Sequence, residues 1–128
     1  MSGKLDEAIE AFNRGEYFVA AESFESAAGG ADGDRKELIG ALNRISAALH
    51  LRFERGGRQA AINLLSQAMM TLDALKPSRA GIDVDQLFAE VAAYTEEIRA
   101  TPKDERTGIK YRTRLFLERR RAPKIKRV

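Results

Sequence analysis

Apolar residues recur every three or four positions over most of the first hundred residues, which is the spacing of amphipathic helices. Glycine or proline interrupts this pattern, and the segments between the interruptions predict five helices, at about residues 4–14, 16–28, 34–55, 58–75 and 83–98. Two of the starts carry capping boxes, Asp34 with Glu37 and Asp83 with Gln86. No strand-like alternation occurs before Pro102. The pattern therefore predicts an all-α fold, a five-helix bundle built from antiparallel helix hairpins.

A short motif repeats within this helical region and concerns the turns between helices. The pattern Phe-x-x-Gly-x-x-x-x-Ala-x-x-x-[Phe/Leu]-x-x-Ala begins at Phe12 and again 41 residues later at Phe53. Its spacing resembles the second half of a tetratricopeptide repeat, but two copies are fewer than a stacked array needs. We therefore expect tetratricopeptide-like turn chemistry in two hairpins closed by a fifth helix, and not a peptide-binding solenoid.

Charge divides the chain at Thr101-Pro102, where proline ends the fifth predicted helix. Residues 1–102 carry 11 Lys+Arg and 16 Asp+Glu, a net charge of −5, whereas residues 103–128 carry 11 Lys+Arg and 3 Asp+Glu, a net charge of +8. We therefore expect a helical bundle domain at residues 1–102 and a basic C-terminal tail at residues 103–128. Basic and apolar side chains alternate over residues 109–115, which is typical of a strand, with a helix as the alternative.

The composition of the 128 residues excludes several classes of function. Without cysteine, the chain has no disulfide framework, no thiol nucleophile and no cysteine-based zinc or iron–sulfur site. Its single histidine, His50, excludes a multi-histidine metal site within one chain. Neither a phosphate-binding loop nor a serine-hydrolase motif occurs, so we expect no cofactor and assign no residue to catalysis. Without a long apolar run or a signal peptide, we expect no membrane insertion and a cytoplasmic location.

Four motifs follow one another in order between residues 5 and 100. Residues 12–25 read Phe-Asn-Arg-Gly-Glu-Tyr-Phe-Val-Ala-Ala-Glu-Ser-Phe-Glu, residues 41–50 end in Ala-Leu-His, residues 61–68 read Ala-Ile-Asn-Leu-Leu-Ser-Gln-Ala, and residues 81–84 read Gly-Ile-Asp-Val. Together they resemble a small helical family of unknown function from bacteria, archaea and plastids, with the signature Phe-Asn-x-Gly-x-[Phe/Tyr]-x-x-His-Glu-x-x-Glu-x-x-Trp. The signature His and Trp are both absent from residues 12–28. The resemblance implies a compact five-helix bundle and carries no activity.

Three polar positions of that resemblance, Glu22, Glu25 and His50, form one candidate site. Glu22 and Glu25 are three residues apart, so both carboxylates point to one side of a helix. With His50 they would make the two-carboxylate, one-histidine site of a degenerate metal-dependent enzyme. The simpler interpretation is that both carboxylates keep a helix face solvated while His50 lies at the edge of the core. We favour the simpler interpretation and expect no bound metal.

The basic tail supplies the leading functional hypothesis, because clustered Lys and Arg side chains bind phosphates. The candidate anion-binding residues are Lys110, Arg112, Arg114, Arg119, Arg120, Arg121, Lys124, Lys126 and Arg127. We expect a non-catalytic binding or assembly module whose tail contacts an anionic partner, either nucleic acid or an acidic protein. Two alternatives stay open. The tail folds back on the acidic body, or residues 109–117 dock on another subunit and form a homo-oligomer.

Overall fold

The computed structural model describes residues 3–101 and 109–128, and of residues 109–111 the backbone alone. Within these ranges the chain forms six helices and one small sheet: α1 (Lys4–Asn13), α2 (Tyr17–Ala28), α3 (Gly33–Arg55), α4 (Gln59–Ala74), β1 (Ser78–Arg79), β2 (Ile82–Asp83), α5 (Val84–Arg99) and α6 (Ile109–Arg120). Helices α1 to α5 correspond to the five predicted helices, so the prediction of a helical protein is confirmed. None of the helices in the described ranges has the length and apolarity needed to cross a membrane.

The helix boundaries follow local sequence signals, with one exception. Gly15 and Gly56 have φ angles of 84° and 68° after α1 and α3, a left-handed conformation that glycine adopts without strain. At α5 the predicted cap is confirmed, because the Asp83 carboxylate accepts the backbone N–H of Gln86 at 3.0 Å. The predicted cap at Asp34 is wrong. Helix α3 begins at Gly33, so Asp32 occupies the N-cap position, and no side chain caps the helix.

The core lies between helices that follow one another in the chain. Helix α1 packs on α2, α2 on α3, α3 on α4, and α4 on α5. An aromatic cluster joins four of these helices through Phe12, Tyr17, Phe53 and Tyr94, with ring centroids 5.4, 5.8 and 6.2 Å apart in that order. Such pairs add a small favourable term beyond the apolar area that they bury. Two side chains of α6, Arg119 and Glu118, lie against this aromatic cluster.

The loop before α5 contains a short sheet that the sequence pattern did not predict. Strands β1 and β2 pair antiparallel, with Ser78 opposite Asp83 and Arg79 opposite Ile82. Ala80, at the turn, has a positive φ of 52°, and Gly81 follows with 76°. Ile82 is fully buried. Four paired residues leave too short an alternation for a periodicity argument to detect.

The strand-like interpretation of residues 109–115 is wrong, because these residues lie in α6. Lysine, arginine and leucine favour helices at least as well as strands, so a short alternation of basic and apolar residues is a weak strand signal. A β-bridge does form near the end of the chain, where Arg127 pairs with Ile82 of β2. Ala122 and Ile125 are buried in the same core as the body helices.

Candidate nucleic-acid interface

A buried ion pair joins the C-terminal segment, residues 109–128, to the helical body. The guanidinium of Arg52 on α3 donates to both carboxylate oxygens of Glu118 on α6, at 2.8 and 3.0 Å. The hydroxyl of Tyr94 on α5 donates to the same carboxylate at 2.7 Å. The side chains of Arg52 and Glu118 are 4% and 1% exposed. We call these three residues the Arg52–Glu118–Tyr94 cluster.

The cluster keeps two charges out of water by satisfying their hydrogen bonds. A fork-shaped guanidinium matches a carboxylate with two parallel bonds, and Tyr94 supplies a third donor. Burial, together with the negative charge of Glu118 and the hydrogen bond to it, raises the pKa of the Tyr94 hydroxyl well above its ordinary value. The neutral phenol is therefore the form that the folded protein holds. Removing one charge of such a pair leaves the other buried without compensation.

Polar side chains of the body also hold the backbone of the C-terminal segment. The amide of Asn13, at the end of α1, donates to the carbonyl of Ile125 and accepts its N–H, both at 2.9 Å. On α5, the Glu90 carboxylate accepts the N–H of Lys124 at 3.0 Å, and the Gln86 amide donates to its carbonyl at 3.0 Å. These hydrogen bonds pair backbone N–H and C=O groups that lie beyond the end of α6 and therefore have no partner within a helix.

The last residues continue the small sheet. The N–H of Asp83 donates to the carbonyl of Lys126 at 2.9 Å, and the N–H of Val128 donates to the carbonyl of Gly81 at 3.0 Å. Three kinds of contact thus hold the C-terminal segment against the body: the buried ion pair, the hydrogen bonds from side chains to its backbone, and this strand-like pairing. The alternative in which the tail folds back on the body describes this arrangement.

Five of the nine candidate anion-binding residues contact the body. The Arg119 guanidinium donates to the carbonyl of Gly15 at 2.7 Å and lies over the rings of Phe53 and Tyr17, 5.3 and 5.6 Å from their centroids. Lys124 donates to the carbonyl of Asn13 at 3.0 Å. The remaining contacts are the ion pairs Arg121–Glu97, Lys126–Glu90 and Arg127–Asp6.

The other four candidates differ in their surroundings. Arg112 and Arg120 are exposed, and neither forms an ion pair or hydrogen bond with any residue in the described part of the chain. Arg114 is half-buried. The side chain of Lys110 and the first six residues of the predicted tail domain, 103–108, lie outside the described residues. Among the candidates whose side chains the structure describes, Arg112 and Arg120 are therefore available without breaking a contact.

The side of α6 that faces away from the body combines these two arginines with exposed apolar residues. Helical rotation of 100° per residue turns Arg112, Phe116 and Arg120 by about 40° from one to the next, so they lie on one side of the helix together with Thr113 and Leu117. Phe116 is 63% exposed and Leu117 is 42% exposed. We call these residues the outer face of α6: Arg112, Thr113, Phe116, Leu117 and Arg120. Glu118, Leu115 and Arg114 lie on the opposite side, where they are buried or half-buried.

The other candidate site, at Glu22, Glu25 and His50, lies elsewhere in the fold. Both carboxylates are exposed on α2, and half-buried His50 on α3 lies against Phe18, with ring centroids 5.3 Å apart. In the described ranges, no three histidine or acidic residues are grouped so that they could hold a metal ion. The geometry gives the metal-dependent alternative no assembled ligand set.

Sequence reasoning missed the Arg52–Glu118–Tyr94 cluster, although two signals pointed to it. Arg52 falls three residues after Leu49 on the apolar stripe of α3, a position where a core residue is expected. Glu118 is the only acidic residue after position 105. Charged side chains are rarely buried unless they are paired, so an arginine at a core position of α3 requires an acidic partner elsewhere in the chain. Asn13, Gln86 and Glu90 carried no comparable signal.

Comparisons with known proteins give no match for this chain. No protein-family model matches it, and neither the curated proteins nor the solved structures contain a significant match.

Proposed function

We propose that this protein is a non-catalytic binding module that contacts nucleic acid through the outer face of α6. The observation that carries the proposal is a pair of exposed arginines, Arg112 and Arg120, that no acidic side chain in the described chain neutralises. They stand on a helix that the buried cluster holds in place. An arginine presented on a fixed scaffold binds a phosphate with less loss of side-chain and backbone freedom than one on a free tail.

Fewer basic residues are proposed to contact phosphate directly than the nine candidates named from the sequence. Five of the basic residues already form hydrogen bonds or ion pairs with the body, which carries the opposite net charge. They are Arg119, Arg121, Lys124, Lys126 and Arg127. Arg121 and Lys126 remain about 60% exposed, at 60% and 62%, so they can add long-range attraction around the outer face. The direct phosphate contacts are assigned to Arg112 and Arg120.

The finer description of the fold belongs to the same proposal. We infer that α1 to α4 form two antiparallel hairpins with tetratricopeptide-like turns and that α5 closes them into a bundle. Short connections and the packing of each helix on the next support this arrangement. The left-handed glycines at positions 15 and 56 support the turn assignment. Membership in the small family of unknown function stays a prediction, and it adds a fold and no activity.

Binding of the full-length protein to RNA and DNA as a function of salt tests the proposed function. Arg112→Ala/Arg120→Ala should weaken binding at about 50 mM salt and flatten its salt dependence, since each lost phosphate contact lowers the slope by about 0.7 for a single strand. Arg35→Ala/Lys36→Ala removes the same charge from the start of α3, where both residues are exposed. That control should retain the slope. Absence of binding by the wild type at low salt would refute the proposed function.

Point variants are required because deleting the tail is not a clean test. A chain that ends at residue 102 loses Glu118, and with it both the counter-ion of the Arg52 guanidinium and the helix that packs against it. It also uncovers the core around Ala122 and Ile125. Loss of binding by that truncation would therefore report loss of folding as readily as loss of an arginine contact.

A second candidate function is self-association through the same face. Exposure of Phe116 and Leu117 favours it, because both would be covered in a dimer. Two apolar side chains are few for this purpose, since a stable interface covers about 800 Å² on each partner. Light scattering over a range of protein concentrations tests it: a dimer that Leu117→Glu converts to a monomer supports self-association, and a monomer at every concentration excludes it.

A further inference from the structure

We propose that the outer face of α6 takes single-stranded nucleic acid, with one base stacked on Phe116 and flanking phosphates held by Arg112 and Arg120. This inference rests on the proposed function and names its ligand class. It concerns a side chain, Phe116, that neither folding nor the ion pairs of the C-terminal segment require.

The spacing along α6 fits such a ligand. Arg112, Phe116 and Arg120 are four residues apart, so the ring lies about 6 Å along the axis from each arginine, and the two arginines are separated by about 12 Å. Measured along the axis of a stacked strand, successive phosphates are spaced by about 3.4 Å. The two guanidinium groups therefore reach different phosphates on either side of a nucleotide placed at the ring.

The burial of α6 points to a ligand for its outer face. The one acidic side chain of the described C-terminal segment, Glu118, is completely buried, whereas its one aromatic residue with described surroundings, Phe116, is 63% exposed. This reverses the usual partition, in which carboxylates face water and phenylalanine faces the core. The reversal gives the outer face an exposed ring and positive charge, and none of its own five residues carries a carboxylate that would repel a phosphate.

The chemistry of the outer face favours an unpaired strand over a duplex. In a duplex the flat faces of the bases are stacked on one another, so an exposed phenylalanine finds no base to cover. In a single strand each base offers a face, and stacking on an aromatic side chain combines with nearby arginines to bind it. Two apolar residues are too few for the wide apolar face with which a helix enters a membrane surface.

Fluorescence anisotropy with short labelled single-stranded RNA and DNA, and with a duplex of the same sequence, tests this inference on the full chain. Phe116→Ala should weaken single-strand binding by about 5- to 150-fold, the range that loss of one stacked base gives. The slope of affinity against salt should not change, because no phosphate contact is lost. Arg112→Ala/Arg120→Ala should lower that slope by about 1.4.

Two matched variants separate stacking from apolar contact. Phe116→Leu keeps an apolar side chain without a ring face and should weaken binding nearly as much as Phe116→Ala. Met70→Ala removes an exposed apolar side chain from α4, outside the outer face, and should leave affinity within about twofold. Thermal unfolding of each variant confirms that the fold persists, because both side chains are exposed.

The outcomes distinguish this inference from the proposed function. Binding that the arginine variant weakens but Phe116→Ala does not, or a duplex bound as tightly as the single strand, overturns the inference and leaves the proposed function standing. No binding of either nucleic acid at about 50 mM salt overturns both. Binding to vesicles of anionic lipid in place of oligonucleotides also overturns both.

Discussion

The two sides of helix α6 differ in what they bury and what they expose. The inner side places a carboxylate, Glu118, against Arg52 and Tyr94, completely shielded from water. The outer side presents Phe116 to solvent between two arginines without ion-pair partners in the described chain. Both sides belong to one run of twelve residues with a strongly basic composition. The side of α6 that faces the body is structural, and the side that faces solvent is available to a partner. Orientation alone makes this difference.

This difference shows why a count of charges along the chain overstates a binding site. Residues 109–128 hold nine Lys+Arg and one acid, which favours a solvated, anion-binding tail. In the folded protein five of those nine contact carbonyls or carboxylates of the body. The basic segment thus binds the acidic body of its own chain. The basic surface that remains for another partner is smaller than the count of Lys and Arg residues suggests.

The strongest test of the inner side is to remove one member of the buried ion pair. Arg52→Met leaves the Glu118 carboxylate buried without its counter-ion, so we expect a loss of about 3–5 kcal/mol in the free energy of unfolding. Urea denaturation followed by circular dichroism measures it. The matched control, Arg120→Met on the outer side, should change stability by less than about 0.5 kcal/mol.

The double variant Arg52→Met/Glu118→Met sharpens this test. Replacing both charges with apolar side chains of similar volume removes the unpaired charge, so most of the lost stability should return. If Arg52→Met alone were within about 1 kcal/mol of the wild type, the ion pair would not be what holds α6 against the body.

A smaller effect is expected where the backbone of the C-terminal segment is held. Asn13→Ala removes two hydrogen bonds to Ile125, both 2.9 Å, and should destabilise the protein by about 1–3 kcal/mol. Hydrogen exchange should become faster at the amide of Ile125. Asn63→Ala, which removes an exposed amide on α4, is the control and should leave that exchange rate unchanged. Equal protection of Ile125 in both variants contradicts the assignment.

The smallest effect appears only in alkaline solution. Burial, with the charge of Glu118, raises the pKa of Tyr94 above its ordinary value of 10.0. Above pH 10 the unfolded chain therefore releases a proton that the folded protein keeps, so the free energy of unfolding falls as pH rises, by at most about 1.4 kcal/mol per pH unit. Below pH 10 this contribution is constant.

Urea denaturation at pH 8 and pH 11 measures that dependence. Tyr94→Phe should show a shallower decline than the wild type, because it has no phenol to ionise at this position. Some decline should remain from Tyr17, whose pKa burial also raises. Parallel declines in the two proteins would show that Tyr94 does not ionise during unfolding in this pH range.

Much of the fold could be predicted from the sequence because its signals are local. The apolar spacing of α1 to α5, the glycines at positions 15 and 56 and the Asp83 cap each act within a few residues. The predictions that failed lie where local preference is weak: the cap at Asp34 and the strand-like alternation of residues 109–115. For residues 109–115, the helix that forms is held by a contact far away in the chain, between Glu118 and Arg52.

The candidate site was predictable only in its composition. The basic residues of the tail could be named from the sequence, yet which of them remain available could not. That choice is made by contacts such as Arg119 with Gly15 and Glu118 with Arg52, which join residues 104 and 66 positions apart. Those contacts determine which side chains of α6 face the body and which face solvent.

By itself the sequence determined a helical body, its main turns and an excess of positive charge near its end, because periodicity, glycine and charge are properties of single segments. Only the tertiary structure decided that α6 buries its carboxylate and exposes its phenylalanine. The physical reason is that Arg52, buried on α3, needs a counter-charge, and the carboxylate of α6 provides it with full hydrogen bonding. Satisfying that charge turns Phe116, Arg112 and Arg120 toward solvent.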